Sequence, residues 1–213
     1  MKDHDFAAAW HTLTTNDPNH RGESAVDLAF WGSHARGYDE NANAPGRSAA
    51  TLAAIQSLVR PDDTLLDVGA GTGRFALPLA NSVKEVTALD HAAPMLEVLI
   101  QKMVDQNISN IRLKETAWEY AEVVQHDVVL AAWSLYRLPD IVAGMRKLIE
   151  ATKRTLIVVA SPGAPPADTP LHIYFYGALW QAGVYPEIKI VWEQPADAEQ
   201  PRPVALIIWH RKN

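Results

Sequence analysis

Residues 65–74 read Leu-Leu-Asp-Val-Gly-Ala-Gly-Thr-Gly-Arg. An apolar run carries an acid, Asp67, and then breaks into glycines spaced G-x-G-x-G at Gly69, Gly71 and Gly73, after which a helical pattern begins. A second apolar run, Val86-Thr87-Ala88-Leu89, ends in a second acid, Asp90. Strand, glycine turn, helix, strand and acid is the layout of a nucleoside-binding site at the carboxyl end of a parallel sheet. Gly69 and Gly71 lack a Cβ, so backbone there can approach a ligand closely or take positive φ, and Gly73 lets the following helix pack tightly.

The same alternation extends outward. Strand patterns occupy 64–68, 85–89, 111–114, 127–133, 154–160, 185–192 and 203–210, and helical periodicity fills 73–81, 92–106, 117–122, 139–151 and 171–182. Successive strand–helix units predict right-handed crossovers and a parallel sheet covered on both faces. Only the Pro/Ala/Glu-rich stretch 195–203 joins the last two strands, which predicts an antiparallel pair. Ala164-Pro165-Pro166-Ala167 reads as a stiff loop rather than a linker. Upstream, Phe6, Ala9, Trp10 and Leu13 recur at helical spacing until Asn16-Asp17-Pro18-Asn19. A second helix, about 24–38, carries Ala25, Leu28, Trp31, Ala35 and Tyr38; a third, about 48–59, stops before Pro61. The expectation is one doubly wound α/β domain over 1–213, with 46–213 as its Rossmann-like core and 1–45 as a helical lid.

Composition narrows the partners. The chain has 213 residues, 48% of them hydrophobic, enough for one sizeable core. A net charge of −6 with acids and bases interspersed argues against nucleic acid or an anionic membrane as partner. The absence of cysteine excludes disulfides, thiolate metal sites and cysteine nucleophiles. The eight histidines are scattered without an H-x-x-x-H pair, so no metal is expected. MKDHDFAAAW does not read as a signal peptide and no run approaches membrane-spanning length, which makes the cytoplasm the default location.

The acids choose between nucleosides. Asp67 lies two residues before the first glycine, where a dinucleotide pocket must receive pyrophosphate, and a carboxylate there repels phosphate. It favours a cationic amino-acid end instead. S-adenosylmethionine (SAM) carries an ammonium, a sulfonium and a ribose diol but no phosphate, and suits the site better than NAD. Asp90 is placed to accept hydrogen bonds from both ribose hydroxyls, or to cap the helix over 92–106. Met95, one turn on, lies against adenine or in the core.

From these residues outward the chain resembles a class I SAM-dependent methyltransferase, strongly over 61–160 and loosely beyond. Leu65–Gly73 resembles the family's first motif, and Val86–Asp90 its second acidic motif. His126-Asp127-Val128-Val129-Leu130-Ala131-Ala132-Trp133 followed by Ser134-Leu135-Tyr136-Arg137-Leu138-Pro139-Asp140 resembles the fourth strand and its "SxLYHLPD"-like sequel. The resemblance implies a seven-stranded sheet of order 3-2-1-4-5-7-6 with strand 7 antiparallel, SAM as cofactor and S-adenosylhomocysteine (SAH) as product. Trp31, Ala35, Tyr38 and Asp39 loosely match a helix that relatives place over SAM, with Tyr38 covering the methionine end. One position departs. Many relatives have Asp-Ala after the third strand, where this chain has Ala117-Trp118 and then Glu119. The expectation is that Trp118 backbone approaches adenine and Glu119 supplies the acceptor; the alternative is that Trp118 is core and Glu119 a cap. The expected cofactor set is Tyr38, Asp67, Gly69, Ala70, Gly71, Gly73, Asp90, His91, Met95, Trp118, Glu119, Trp133 and Ser134.

Methyl transfer is an in-line displacement on a carbon whose leaving group SAM already supplies. The protein mainly aligns the nucleophile and removes water, and needs a base only for a protonated acceptor. No catalytic residue is assigned. His34, Tyr136, His172 and Tyr176 are the candidates, from groups that also hold Trp31, Arg137, Tyr174 and Trp180. The Asn-Pro-Pro-Tyr/Phe pattern of enzymes that methylate exocyclic amino nitrogens is absent, which points to a small-molecule acceptor with O, N or C attack open. A SAM- or SAH-binding protein without transfer activity, acting through partners, is the alternative; an NAD oxidoreductase is disfavoured by the glycine spacing and Asp67. Oligomeric state is not legible.

Overall fold

The computed structural model describes residues 5–16, 24–41, 47–162, 170–195 and 198–212. Four helices lead: α1 (Phe6–Asn16), α2 (Ser24–His34), α3 (Tyr38–Asn41) and α4 (Ala49–Gln56). Strands and helices then alternate as β1 (Thr64–Val68), α5 (Ala76–Ala80), β2 (Glu85–Asp90), α6 (Ala93–Asp105), β3 (Ile111–Glu115), β4 (His126–Ala132), α7 (Ile141–Ala151), β5 (Thr152–Ala160) and α8 (Leu171–Gln181). The antiparallel strands β6 (Glu187–Glu193) and β7 (Arg202–His210) close the chain. One seven-stranded sheet results, in the order β3-β2-β1-β4-β5-β7-β6. Every neighbouring pair from β3 to β5 is parallel, and β7 runs antiparallel to β5 and β6.

The central strands read as near-continuous apolar runs because helices cover both their faces. Leu66, Val68, Val129, Ala131 and Val158 face α7 and α8, packing on Met145, Leu148, Phe175 and Leu179. Leu65, Val128, Leu130, Ile157 and Val159 face the other way, onto Ile55 of α4, Leu79 of α5 and Leu99 of α6. The chain crosses to one side of β1 to make β2 and β3 and to the other to make β4 and β5. That reversal opens a crevice at the carboxyl ends of β1 and β4.

Four expectations need correction. The helix expected over 73–81 starts at Ala76, because Gly73 holds φ +87 and the chain is still turning. The segment 117–122 is a turn, closed by the Tyr120 and Ala121 amides on the Ala117 carbonyl, too short to propagate a helix. The helix over 24–38 breaks at 35–37. Most consequentially, the expected lid over 1–45 divides. Helix α1 is core. Trp10 is 1% exposed, its indole N–H donates to the Leu138 carbonyl at 2.6 Å, and its ring packs on Tyr174 and Phe175. Phe6 sits where Gly177 of α8 has no Cβ; a methyl there would lie 2.1 Å from the ring. Among the described residues of this segment, only α2 and α3 lie over the crevice. Asp17, Pro18, Asn19 and the loop 164–167 fall outside the described residues, and among those described no helix is long and apolar enough to cross a membrane.

Candidate functional site

The crevice holds a cleft with a void of about 520 Å³, counting the part open to solvent. Its floor is the glycine loop. Gly69 takes φ +75 and Gly71 φ +54, conformations that cost an L side chain about 1–2 kcal/mol. Space matters as much as φ at Gly69, where an added Cβ would lie 2.2 Å from Cβ of Ser134. The backbones after β1 and β4 therefore meet at this glycine. The Ser134 hydroxyl locks the meeting by donating to the Val68 carbonyl at 2.5 Å. Trp133 turns the chain out of β4 at φ +52, a left-handed conformation uncommon for a bulky residue and found where a site demands it. Gly73 faces away from the cleft, against Leu77 and Leu99, so it serves helix packing.

Two acids meet beneath the loop. Asp67 is 2% exposed. Burial, then repulsion by Asp90, push its carboxyl up to about 7, against an amide bond from Ala76. Asp90 accepts the Gly71 amide on one oxygen (2.8 Å) and the Ala92 amide on the other (2.9 Å), with His91 Nδ1 at 3.6 Å. Burial raises its pKa as well, and these amide bonds oppose the shift. An acid pair held this high is stabilised by a cation, and each Asp90 oxygen keeps a lone pair for a hydroxyl. A nucleoside with a cationic end fits this floor; a pyrophosphate does not.

The cover comes from α2 and α3. Trp31 and Tyr38 meet edge to face at 5.7 Å and, with Met95, Ala35 and Ala92, form a small apolar cluster at the cleft wall. Met95 thus belongs to both the core and the wall. Asp39, next to Tyr38, accepts from the Thr72 hydroxyl at 2.6 Å and pairs with Lys102 of α6, tying the cover to the glycine loop. Arg74 lies 5.0 Å from the Trp133 ring centre and 3.5 Å from the Tyr38 hydroxyl, in the field of Arg47. Burial lowers its pKa, yet guanidinium remains charged at neutral pH. Arg74 itself is not on the cleft wall; with Asp39, Arg47 and Lys102 it lines a neighbouring hollow behind Tyr38.

The structure brings Tyr38, Gly69, Gly71, Asp90, His91, Met95, Trp133, Ser134 and Tyr136 together on the cleft wall, with Trp31, Ala132 and Arg137 beside them. Ala70 is buried and its amide donates to the Leu89 carbonyl. Trp118 and Glu119 are not on the wall. The Trp118 indole is 5% exposed and donates to the Gly144 carbonyl, while both main-chain carbonyls accept from Lys147, at 2.7 and 2.9 Å. The side chain of Glu119 is exposed. Three catalytic candidates also lie off the wall. His34 stacks on Phe30 at the exposed side of α2; His172 sits on α8 with a buried Nδ1; Tyr176 packs beside the α7–α8 core.

Comparison with known proteins gives the same reading. Residues 65–155 match a methyltransferase-domain family. An uncharacterized protein of Haemophilus influenzae is 27% identical over 148 residues, 62% of this chain and 55% of its own. The chain therefore spans about half the length of that relative. A probable ribosomal RNA small subunit methyltransferase A of Methanosphaera stadtmanae is 29% identical over 55 residues, 26% of this chain and 20% of its own. Among solved structures, a SAM-dependent methyltransferase from Aquifex aeolicus superposes with TM-score 0.66 at 16% identity, over 84% of this chain and 97% of that one. Magnesium protoporphyrin IX methyltransferase from Synechocystis, with bound SAH, superposes with TM-score 0.65 at 14% identity, over 95% and 100%. Glycine loop, acid pair and strand order agree with the domain match: residues 65–155 resemble a methyltransferase domain, and the chain has the fold of the SAM-dependent methyltransferases it superposes on.

Proposed function

We propose that the protein transfers the methyl group of SAM to a small-molecule acceptor held in the same cleft. The observation that carries this reading is the enclosure: a buried acid pair and a bare glycine backbone form a floor, and two aromatic residues of α2 and α3 close over it. In this reading Asp90 takes the ribose hydroxyls, and Asp67 supplies negative charge beneath the loop for the ammonium. The Tyr38 hydroxyl, with Arg74 behind it, receives the methionine carboxylate. The rings of Trp31 and Tyr38 lie beside the sulfonium, which an aromatic face favours. The bound cofactor supplies the activated methyl; the chain's residues orient it and exclude water. Trp118 and Glu119 have no part in this arrangement. Of the catalytic candidates, Tyr136 alone is placed to face an acceptor. A cleft of this size and a net charge of −6 support a small molecule over nucleic acid, and a cytoplasmic setting accords with the composition.

Calorimetry with SAM and SAH tests the first half: both should bind at micromolar affinity or better, and NAD should not compete. NAD binding without SAM binding overturns the reading. Radiolabelled SAM incubated with a metabolite extract tests the second half. Label should pass to a small, protein-free product; SAM binding with no label transferred supports a non-catalytic binding protein instead.

A further inference from the structure

We propose that Asp39 and Lys102 form a latch on the cover, and that this ion pair sets how fast the ligand of the cleft enters and leaves. This rests on the cofactor lying beneath α2 and α3, as in the function proposed above. Among the described residues, the cover's buried contacts form a small apolar cluster. Ala35, Ala92 and Met95 make its centre, with Trp31, Tyr38 and Val98 around them. It is distinct from the two large clusters that hold the sheet. A segment joined to the body by so little apolar contact can lift without unpacking the core.

Charge fastens what the apolar cluster leaves loose. Asp39 follows Tyr38 on the cover, pairs with Lys102 of α6 and accepts from the Thr72 hydroxyl at 2.6 Å. The Lys102 ammonium donates in turn to the Thr72 carbonyl at 2.9 Å. Thr72 is 1% exposed and stands between Gly71 and Gly73 in the glycine loop. Lysine and threonine are thus tied to each other on the body of the molecule, and Asp39 is the part that arrives with the cover. A receiving site built in advance spares the cost of ordering a long lysine side chain at each closure. The two side chains keep 25% and 28% of their surface exposed, so salt still reaches the pair.

The latch sits beside the cleft and not in it. Asp39 and Lys102 line the neighbouring hollow, whereas Tyr38, one residue before Asp39, is on the cleft wall. Breaking the pair therefore acts on the position of the cover rather than on a ligand contact. The ligand has to pass beneath the Trp31–Tyr38 pair, so a cover that lifts more often speeds entry and exit together. Loss of a direct ligand contact would speed exit alone. SAH separates the two cases well: its amino-acid end is a zwitterion and its sulfur is uncharged, so salt acts mainly through the protein.

The test follows SAH exchange on the full chain by stopped flow, read by tryptophan fluorescence because Trp31 and Trp133 line the cleft. Asp39→Asn and Lys102→Met should each raise both the association and the dissociation rate about threefold. The double variant should be no faster than the quicker single, because each change removes the same pair. Lys102→Arg, which keeps the charge, should restore most of the native rates. Raising salt from about 0.05 M to about 0.5 M should speed exchange in the native protein and leave Lys102→Met nearly unchanged. Rates within about twofold of native in both single variants overturn the latch. So does faster dissociation with association unchanged or slower, which would make the pair part of the ligand's own contacts. Should a variant fail to fold, the native salt series decides, and exchange that salt does not speed overturns the proposal. Failure of the native protein to bind SAH instead overturns the function proposed above, and the two failures are distinct.

Discussion

Asp90 has a structural role on view and, in the proposed function, a ligand role as well. Its two oxygens hold the amides of Gly71 and Ala92, so the carboxylate shapes the glycine loop and the start of α6 before any ligand arrives. Asp90→Ala should therefore do two things: weaken SAH binding by about 2–4 kcal/mol through lost ribose bonds, and lower the melting temperature of the ligand-free protein through two orphaned amides. Calorimetry and thermal melts on the same samples check both. An unchanged melt would mean that the loop holds its shape unaided. Gly69 is the sharper case. At φ +75, with Ser134 at 2.2 Å from any added Cβ, Gly69→Ala must distort either the loop or the end of β4. Backbone strain of about 1–2 kcal/mol is the least cost, and the clash adds to it. Loss of SAH binding exceeding the loss in stability is the expected result.

Among the elements, the helices before the sheet separate into two jobs that look alike in sequence. Helix α1 buries Phe6 and Trp10 against α7 and α8, whereas α2 and α3 present Trp31 and Tyr38 to the cleft. Gly177→Ala pushes a methyl into the Phe6 ring and should cost about 1–3 kcal/mol by overpacking, with SAH affinity nearly unchanged. Trp31→Ala should do the reverse, removing half of the cover's edge-to-face pair and weakening ligand binding more than folding. Melting curves and titrations on the pair of variants decide; equal effects on folding would show that the cover is also core. Two caps fix other elements. Asp140 accepts the Ala143 amide at 2.9 Å and starts α7, which explains the acid that closes the Leu-Pro-Asp sequel. Glu193 of edge strand β6 reaches across to the amides of Ala50 and Thr51 at the start of α4, a pairing no local pattern announces.

At the scale of the whole molecule, the acid pair couples stability to pH and, in the proposed function, cofactor binding with it. The Asp67 carboxyl sits at about 7 in the folded protein, above its unfolded value of 3.8, so the folded state holds this proton more tightly. Its contribution to stability is complete below pH 3.8 and is lost as pH rises through about 7. A cationic ligand favours the ionised form. SAM should therefore bind more tightly as pH rises toward 7, releasing a proton on binding at pH 6, and Asp67→Asn should flatten the profile. Calorimetry in buffers of different ionisation enthalpy measures that proton directly; no release at pH 6 would remove Asp67 from the ligand's electrostatic field.

The layout of the sheet was legible because its signals are local. A strand buried on both faces is apolar nearly throughout, a turn at positive φ favours glycine, and a missing helix between the last two strands leaves them antiparallel. The same locality exposed Asp67, Asp90 and the glycine loop, each adjacent in sequence to the strand that carries it. What the sequence could not decide was which aromatic residues meet the cleft. Trp10, Trp31 and Trp118 all recur at core-like spacings, and only the packed helices assign Trp10 to the α8 side, Trp118 to Gly144 and Lys147, and Trp31 to the cover. Arg74 and Arg137 follow the ends of β1 and β4, far apart in the chain, and flank one aromatic pair only after the sheet places those ends side by side. Periodicity reports that a side chain is buried; against what it is buried depends on contacts between distant segments, which the folded sheet alone brings together.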